Sequence, residues 1–433
     1  MLDIRFIREN AEMVAEKARQ KGYEVDVPKL LELDDRRRQL LSQVEQKRKD
    51  RNDHADAMKT KPPTAEDIET GRRLKTETAS LEAELQPLEA EYEALLKAIP
   101  NMPAQDVPVG ASEADNVVAK EWGDKPKFDF TAKTHWQLAE ERGLIDKQRA
   151  AKVAGSRFAY IKGDLVRLQL AIMQFTIQTL TDEQKLKQII DDNGLELSAK
   201  PFIPLLPPAM IKTDVYEKMD RLDPRDDRYK TGEDEDNLWL QGSAEHTIGP
   251  MYMDETLPAE QLPIRYIGFL TSFRREAGTY GKDTEGIIRM HQFDKLEMES
   301  FSLPENGSQE HSLMVALQEY LMQQLGLPYR VINKCTADIG KPNVKGIDLE
   351  VWLPGAAIYK ETHTADYMGD YQTRRLQTRA KKDDQLVYVH TNDATAFALG
   401  RTLVAIIENY QTANGRIRVP LVLQPFMAGQ AEI

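Results

Sequence analysis

Between Phe273 and Glu297 the chain reads FRREAGTYGKDTEGIIRMHQFDKLE, a stretch rich in groups suited to holding a nucleotide. Two strand-like runs flank a polar loop containing Gly278, Gly281 and Gly286. Side chains alternate between the two faces of a strand. The pattern therefore places Arg274 and Glu276 on one face of the first run, and Arg289, His291, Phe293, Lys295 and Glu297 on one face of the second. A guanidinium offers phosphate a planar, permanently charged fork. A neighbouring carboxylate suits the amino group of a base, and an aromatic ring gives the base a stacking face. A surface hairpin laced by cross-strand ion pairs carries the same pattern.

Farther along, DLEVWLPGAAIYKE predicts a hairpin turning at Pro354-Gly355, with Glu350 and Glu361 on its arms. Such oxygen ligands suit Mg2+ held together with substrate phosphates, and equally an ordinary surface charge. Gly400-Arg401 opens the apolar run Thr402 to Ile407. That places an arginine at a strand-to-helix junction where the glycine permits close approach, or in a helix-end ion pair. The chain has no GxxxxGK[ST] loop, GxGxxG turn, HExxH or GxSxG, so ATP would have to bind by another device. Cys335 is the single cysteine, which excludes intrachain disulfides and a cysteine-based zinc site.

These residues need a scaffold, and 433 residues suffice for two or three domains. The 41% hydrophobic and 30% charged content is that of a globular chain. No run approaches the roughly 20 apolar residues of a membrane span. The start, MLDIRFIREN, lacks a signal-peptide core, so the expected setting is the cytoplasm, with no membrane partner. A net charge of −13 opposes nonspecific adhesion to nucleic acid, and an RNA partner would need a locally basic surface.

Residues 3 to 21 read as one amphipathic helix stopped by Gly22. Leu30, Leu33, Leu40, Val44 and Met58 recur at heptad-like spacing, interrupted by Arg37 and Arg51. After Lys61-Pro62-Pro63 a second series runs Leu74, Thr78, Leu81, Leu85, Leu88, Tyr92, Leu95 and Ile99. Two long helices joined by a short turn make an antiparallel coiled-coil hairpin, with a kink expected at Pro87. Arg36, Arg37, Arg38, Lys47, Arg48, Lys49 and Arg51 form its basic stretch, either a solvated face or an RNA-facing one. IPNMPAQDVPVG reads as a linker, which gives domains 1–108 and 109–433. Beyond it the pattern is mixed α and β: Leu165 to Leu180 is a helix, and Ile264 to Phe273, Ile347 to Leu353 and Leu386 to His390 are strands. Asp223 to Asn237 reads as an exposed acidic loop.

In order along the chain, IPNMPAQDVPVG, GLIDKQRAAKVAGSRFAYIKGD, LPIRY, FRREAG, RMHQFDKLE, GRTLVAIIENYQ and RVPLVLQPFM resemble the bacterial-type seryl-tRNA synthetases over nearly the whole length. The resemblance implies an α+β class II synthetase fold, with an antiparallel sheet flanked by helices, in a homodimer with Pro208 at its interface. It implies ATP and Mg2+ as cofactors and L-serine and tRNA(Ser) as partners. The reaction would be formation of seryl-adenylate followed by transfer to tRNA. Arg274, Glu361 and Arg401 would be catalytic, and ATP would meet Arg274, Glu276, Phe293, Glu361, Thr364 and Arg401. Glu361 and Thr364 would face the metal. Serine would meet Ser243, Glu245, Arg274, Glu297, Asp393 and Thr395. The tRNA would meet Arg36, Arg37, Lys47, Arg48, Arg51 and Lys282.

This chain departs from the family at several of these positions. Threonine is usual at 243 and serine at 395, so one methyl is lost and one gained; if both side chains line one cavity, its volume is kept. Asparagine is usual at Asp393, and an arginine at Glu285. ETHTADYM replaces a stretch usually rich in serine and cysteine. The competing readings are a noncatalytic tRNA-binding relative and an enzyme activating another small amino acid.

Overall fold

The computed structural model describes residues 1–59, 62–232, 237–277 and 286–433, which form two compact units, Met1–Met102 and Pro103–Ile433. In the first unit the expected helix over 3–21 is broken into α1, Ile4–Glu9, and α2, Ala11–Gln20. Asn10 is the cause: its side-chain amide donates to the Phe6 carbonyl at 2.9 Å, competing with the helical bond pattern. Asp26 starts α3, Val27–Met58, by accepting the Lys29 N–H at 3.0 Å. A Thr64–Asp67 capping box starts α4, Ala65–Ala98. The latter helix runs through Pro87 without ending. Lys61, in the expected turn, lies outside the described residues.

Leu30, Leu33, Leu40 and Val44 of α3 and Leu74, Leu85, Leu88 and Tyr92 of α4 are buried along the hairpin seam. Leu81 and Leu95 are only half-buried, and Leu96 takes the buried place. A straight helix drifts against a strict heptad, so the buried face moves by a residue over this length. Arg37, which interrupts the heptads, lays its guanidinium 4.5 Å from the Tyr92 ring centroid and pairs with Asp34.

The second unit is built on an eight-stranded sheet. Its strands are β1, Val117–Trp122; β2, Ile203–Leu205; β3, Ile264–Phe273; β4, Gln292–Ser302; β5, Tyr329–Asn333; β6, Lys345–Leu353; β7, Ile358–Gly369; and β8, His390–Ala398. Their order is β1-β5-β6-β7-β8-β4-β3-β2, antiparallel throughout except for β2 beside β3. The helices that matter to the site are α5, Asp164–Leu180; α6, Thr213–Lys218; α7, Glu245–Ile248; α8, Gly307–Gln324; and α9, Leu399–Asn409. This is the expected antiparallel sheet flanked by helices. The run from Leu386 to His390 is two strands, because Gln385–Tyr388 joins a separate small sheet and β8 starts only at His390.

One face of the sheet is apolar. Leu296 and Met298 of β4 and Ala394 and Ala396 of β8 lie in the same core as Leu313 and Leu317 of α8 and Leu403 and Ile407 of α9. Strand alternation then sends Lys295, Glu297 and Glu299 of β4 and Asp393 and Thr395 of β8 to the opposite face. On the apolar side, the Gln318 amide of α8 donates to the carbonyls of Thr364 and Thr395, both at 2.9 Å, tying β7 to β8. Gln318→Ala leaves those buried acceptors unmatched and is expected to cost about 2 kcal/mol in chemical denaturation.

Candidate active site

On the polar face of the sheet, one cavity is lined by Arg274, Glu276, Phe293, Glu361, Thr364 and Arg401 together with Glu245, Glu297, Asp393 and Thr395. The Arg274 backbone N–H donates to the His291 carbonyl at 3.0 Å, the last rung beside β3. Its Nε donates to the Gly242 carbonyl at 3.0 Å, and its guanidinium carbon lies 5.4 Å from the Phe293 ring centroid. The side chain is thus oriented before any ligand arrives.

The strand expected to carry both Arg274 and Glu276 ends at Phe273. Glu276 has a left-handed backbone, φ +54°, which costs on the order of 1 kcal/mol for a residue with a Cβ. It reaches the cavity through that turn, where its carboxylate pairs with Arg289. Arg289 and His291 likewise precede β4. The His291 Nδ1 hydrogen-bonds the Arg274 carbonyl at 3.0 Å, and its ring packs on Phe158, outside the cavity wall. The acidic loop is only partly exposed. Asp223 to Asp226 face solvent, but Asp227 backs the turn, accepting the Arg275 N–H at 3.0 Å on its carbonyl and the Ala277 N–H at 3.2 Å on its carboxylate. Residues 233–236, and the loop residues Lys282 and Glu285, lie outside the described residues.

Arg401, in the first turn of α9, donates to the Glu361 carbonyl at 2.8 Å and to its carboxylate at 3.0 Å. Burial alone would push the Glu361 carboxyl up. Arg401 and Lys334 outweigh it and bring it down to about 2, so the group is ionised at neutral pH. The neighbouring glycine is not there for clearance, since a Cβ on Gly400 would meet the Ile287 carbonyl at an ordinary 3.5 Å. Glu350 does not enter the site. A register shift between Leu349 and Glu350 accompanies its pairing with Arg330 of β5.

Lys295, a residue the sequence placed on the right face without a role, joins two expected serine-pocket residues. Its Nζ donates to Ser243 Oγ at 2.9 Å and lies 2.6 Å from the Glu297 carboxylate. Ser243 is fully buried behind Lys295 and is not part of the cavity wall, whereas Thr395 is. The two methyl changes therefore do not compensate within one cavity. Glu245 opens α7, which lies so close to β3 that a Cβ on Gly268 would stand 2.5 Å from the Ile248 terminal methyl, and that side chain would have to move aside.

Burial disfavours the charged form of every carboxyl in the pocket, and neighbours decide the outcome. For Glu245, Lys295, His246 and Arg221 outweigh burial and hold the group well below the usual range. Glu297 is pushed up by burial, with Glu245 and Asp393 adding, against Lys295. Asp393 is pushed up to about 8 by burial with Glu245 and Asp366, against Arg221. His363, behind the pocket, is brought down to about 3 by burial and is neutral. Carboxyl groups outnumber basic side chains around the amino-acid side of the cavity, and those held protonated by burial would ionise beside an entering ammonium.

Residues 229–410 match the tRNA synthetase class II core domain (G, H, P, S and T), and residues 1–103 match the seryl-tRNA synthetase N-terminal domain. A serine–tRNA ligase of Exiguobacterium sibiricum is 37% identical over 437 residues, covering 99% of each chain. A crystal structure of seryl-tRNA synthetase from Pyrococcus horikoshii complexed with ATP aligns with a TM-score of 0.86 at 34% identity, over 100% of this chain and 99% of that one. The cytoplasmic serine–tRNA ligase of Naegleria fowleri in complex with AMP aligns at 0.84 and 28% identity, over 100% and 98% of the two chains. A seryl N-terminal domain joined to a class II core, with full-length relatives at this identity, leaves one assignment: the chain belongs to the seryl-tRNA synthetase family.

Proposed function

We propose that the chain activates L-serine with ATP and passes the seryl group to tRNA(Ser). The observation that carries this is one cavity in which Arg274 and Arg401, the Phe293 ring and the carboxyl groups of Glu245, Glu276, Glu297 and Glu361 meet. One serine carboxylate oxygen attacks the α-phosphorus of ATP, the bond to the bridging oxygen breaks, and pyrophosphate leaves. A hydroxyl of the terminal adenosine of tRNA then attacks the acyl carbon and AMP departs. In this reading Arg274 neutralises charge developing at the α-phosphate, and Arg401 holds the far end of the leaving group. Phe293 stacks on the adenine and Glu276 accepts its amino group. Such chemistry is mostly positioning and charge neutralisation.

Glu245 and Glu297 take the serine ammonium and hydroxyl, with Thr395 beside them and Lys295 keeping Glu297 and Ser243 in place. Among the described residues no cluster of three acidic, histidine or cysteine ligands stands ready for a metal. One ionised carboxylate, Glu361, and the Thr364 hydroxyl in the same wall fit Mg2+, which enters such sites bound to substrate phosphates. When bound, the ion would add positive charge at those phosphates.

On the hairpin, Arg36, Lys47 and Arg48 pair with Glu84, Glu77 and Glu82 of α4. Exposed pairs of this kind hold little energy and exchange readily for phosphate. Arg38, Lys49 and Arg51 are exposed and make no ion pair among the described residues. Reversing these three to glutamate is expected to raise the tRNA KM for aminoacylation by at least about tenfold, with pyrophosphate exchange unchanged. Exposed apolar Ile203, Leu206 and Met210 beside Pro208, next to edge strand β2, support a homodimer through this surface, testable by sedimentation.

The experiment that tests the main reading is ATP–pyrophosphate exchange with serine, threonine, alanine and cysteine. No signal with serine ends it. A signal with a different small amino acid favours that alternative, and exchange with none favours the noncatalytic one. No helix among the described residues is long and apolar enough to cross a membrane, and a cytoplasmic setting is proposed with the activity.

A further inference from the structure

Three neighbouring strands carry acidic residues in one row beneath the amino-acid pocket. Asp393 of β8 stands opposite Asp366 of β7 on one side and Glu299 of β4 on the other. Residues directly opposite one another point to the same face, and like charges so placed repel. The row is buried, and neither carboxylate oxygen of Glu299 has a hydrogen-bond partner. Asp366 and Asp393 line the cavity itself.

Among the described residues Arg221 is the cation that pairs with this row, with Lys295 and Lys334 acting on Asp393 and Asp366 without an ion pair. The Arg221 Nη2 lies 3.1 Å from the Asp393 carboxylate and 4.0 Å from that of Asp366. It arrives on a turn just after α6 that is fixed on several sides. The Met219 carbonyl accepts from Gln372 at 3.0 Å, and the Arg221 carbonyl accepts from Arg228 at 3.2 Å. Between them Asp220 is held left-handed, φ +58°, with its carboxylate 2.8 Å from Arg375 and 3.1 Å from Lys341. A strained residue tied down by two cations points to a side chain whose position matters.

We propose that Arg221 is a specificity-determining residue of the amino-acid pocket: acting through Asp393, it balances the carboxylate row and refuses side chains that carry an ammonium. The proposal rests on the serine-activating reading above. Serine brings one ammonium, which Glu245 and Glu297 can take. The isosteric amino acid L-2,3-diaminopropionate brings a second, where serine has its hydroxyl. With Arg221 in place that second charge meets a guanidinium; without it, the charge meets unbalanced carboxylates. Rejection by a like charge is a repulsive device of the kind that sharpens specificity.

The test uses the full-length protein in pyrophosphate exchange with serine and with L-2,3-diaminopropionate, comparing wild type, Arg221→Gln, Asp393→Asn and the double variant. Wild-type exchange with serine checks the underlying reading, and the ratio between the two amino acids checks the role of Arg221. Arg221→Gln is expected to shift the kcat/KM ratio toward the diamine by at least about tenfold, while in the Asp393→Asn background the same change moves the ratio by less than about threefold. The ATP KM should not move. An unchanged ratio in a folded Arg221→Gln, or the full tenfold shift still present when Arg221→Gln is made in the Asp393→Asn background, overturns the proposal. Arg221→Lys keeps the charge on a different shape and is expected to keep the wild-type ratio. If Arg221→Gln does not fold, a diamine-shifted ratio in Arg221→Lys relative to wild type, or in the double variant relative to Asp393→Asn, overturns the proposal, and ratios unmoved in both comparisons uphold it.

Discussion

Arg274→Ala is expected to lower serine-dependent pyrophosphate exchange about a thousandfold, the scale on which removal of one preorganised charge-stabilising group acts. The Gly242 carbonyl and the Phe293 ring hold this guanidinium in the cavity wall, so little reorganisation is needed when charge builds on phosphorus. The loss should fall mainly on kcat, because a group aimed at developing charge does more in the transition state than in the ground state. Arg274 is half-buried at the end of β3 rather than in the apolar core. Thermal stability and tRNA binding by the hairpin should therefore be unchanged. Exchange within about threefold of wild type in the purified variant would remove Arg274 from the mechanism.

The second large effect is on stability. Arg265 of β3 is fully buried and grips Glu310 of α8 with two bonds, 2.8 Å and 2.6 Å, while donating to the carbonyls of Ser198 and Lys200 at 2.9 Å and 2.7 Å. Glu310→Ala strands a guanidinium without its counter-charge, and a broken buried pair costs about 3–5 kcal/mol. For a unit of this size the midpoint of thermal unfolding should fall by about 6 °C. Replacing both partners, as Arg265→Met with Glu310→Leu, should recover part of the loss, because no charge is then left buried. The recovery is incomplete because the Ser198 and Lys200 carbonyls still lose their donor. A double variant less stable than Glu310→Ala would show that the pair itself, and not the orphaned charge, sets the cost.

Much of this architecture was legible in the sequence because it is periodic. The heptads foretold the hairpin and most of its buried leucines, though not the exchange of Leu95 for Leu96, and alternation along β4 put Phe293, Lys295 and Glu297 on one face. Periodicity fails where the backbone leaves regular structure. Arg274 and Glu276 share the cavity although their strand stops at Phe273, because a left-handed turn at Glu276 does what alternation was expected to do. It also fails for partners distant in the chain. Asp393 was visible as a departure from the family, but its counter-charge Arg221 lies 172 residues away. Ser243 was expected in the wall and instead stands behind Lys295, since nothing local in the sequence tells whether a small hydroxyl faces a ligand or a lysine.

The clamp that Gln318 places on the carbonyls of Thr364 and Thr395 joins the strand expected to face phosphate to the strand expected to face the amino acid. These two strands then open to solvent only together, and their amides should be among the last to exchange with deuterium. The left-handed turn at Glu276 and the short helix opened by Glu245 lie outside this strand pair, the turn being tied to Asp227 instead. Adaptation to a substrate would accordingly be sought in these covering segments, with protection there rising on ligand addition while the floor of the sheet keeps the exchange rates of the empty protein.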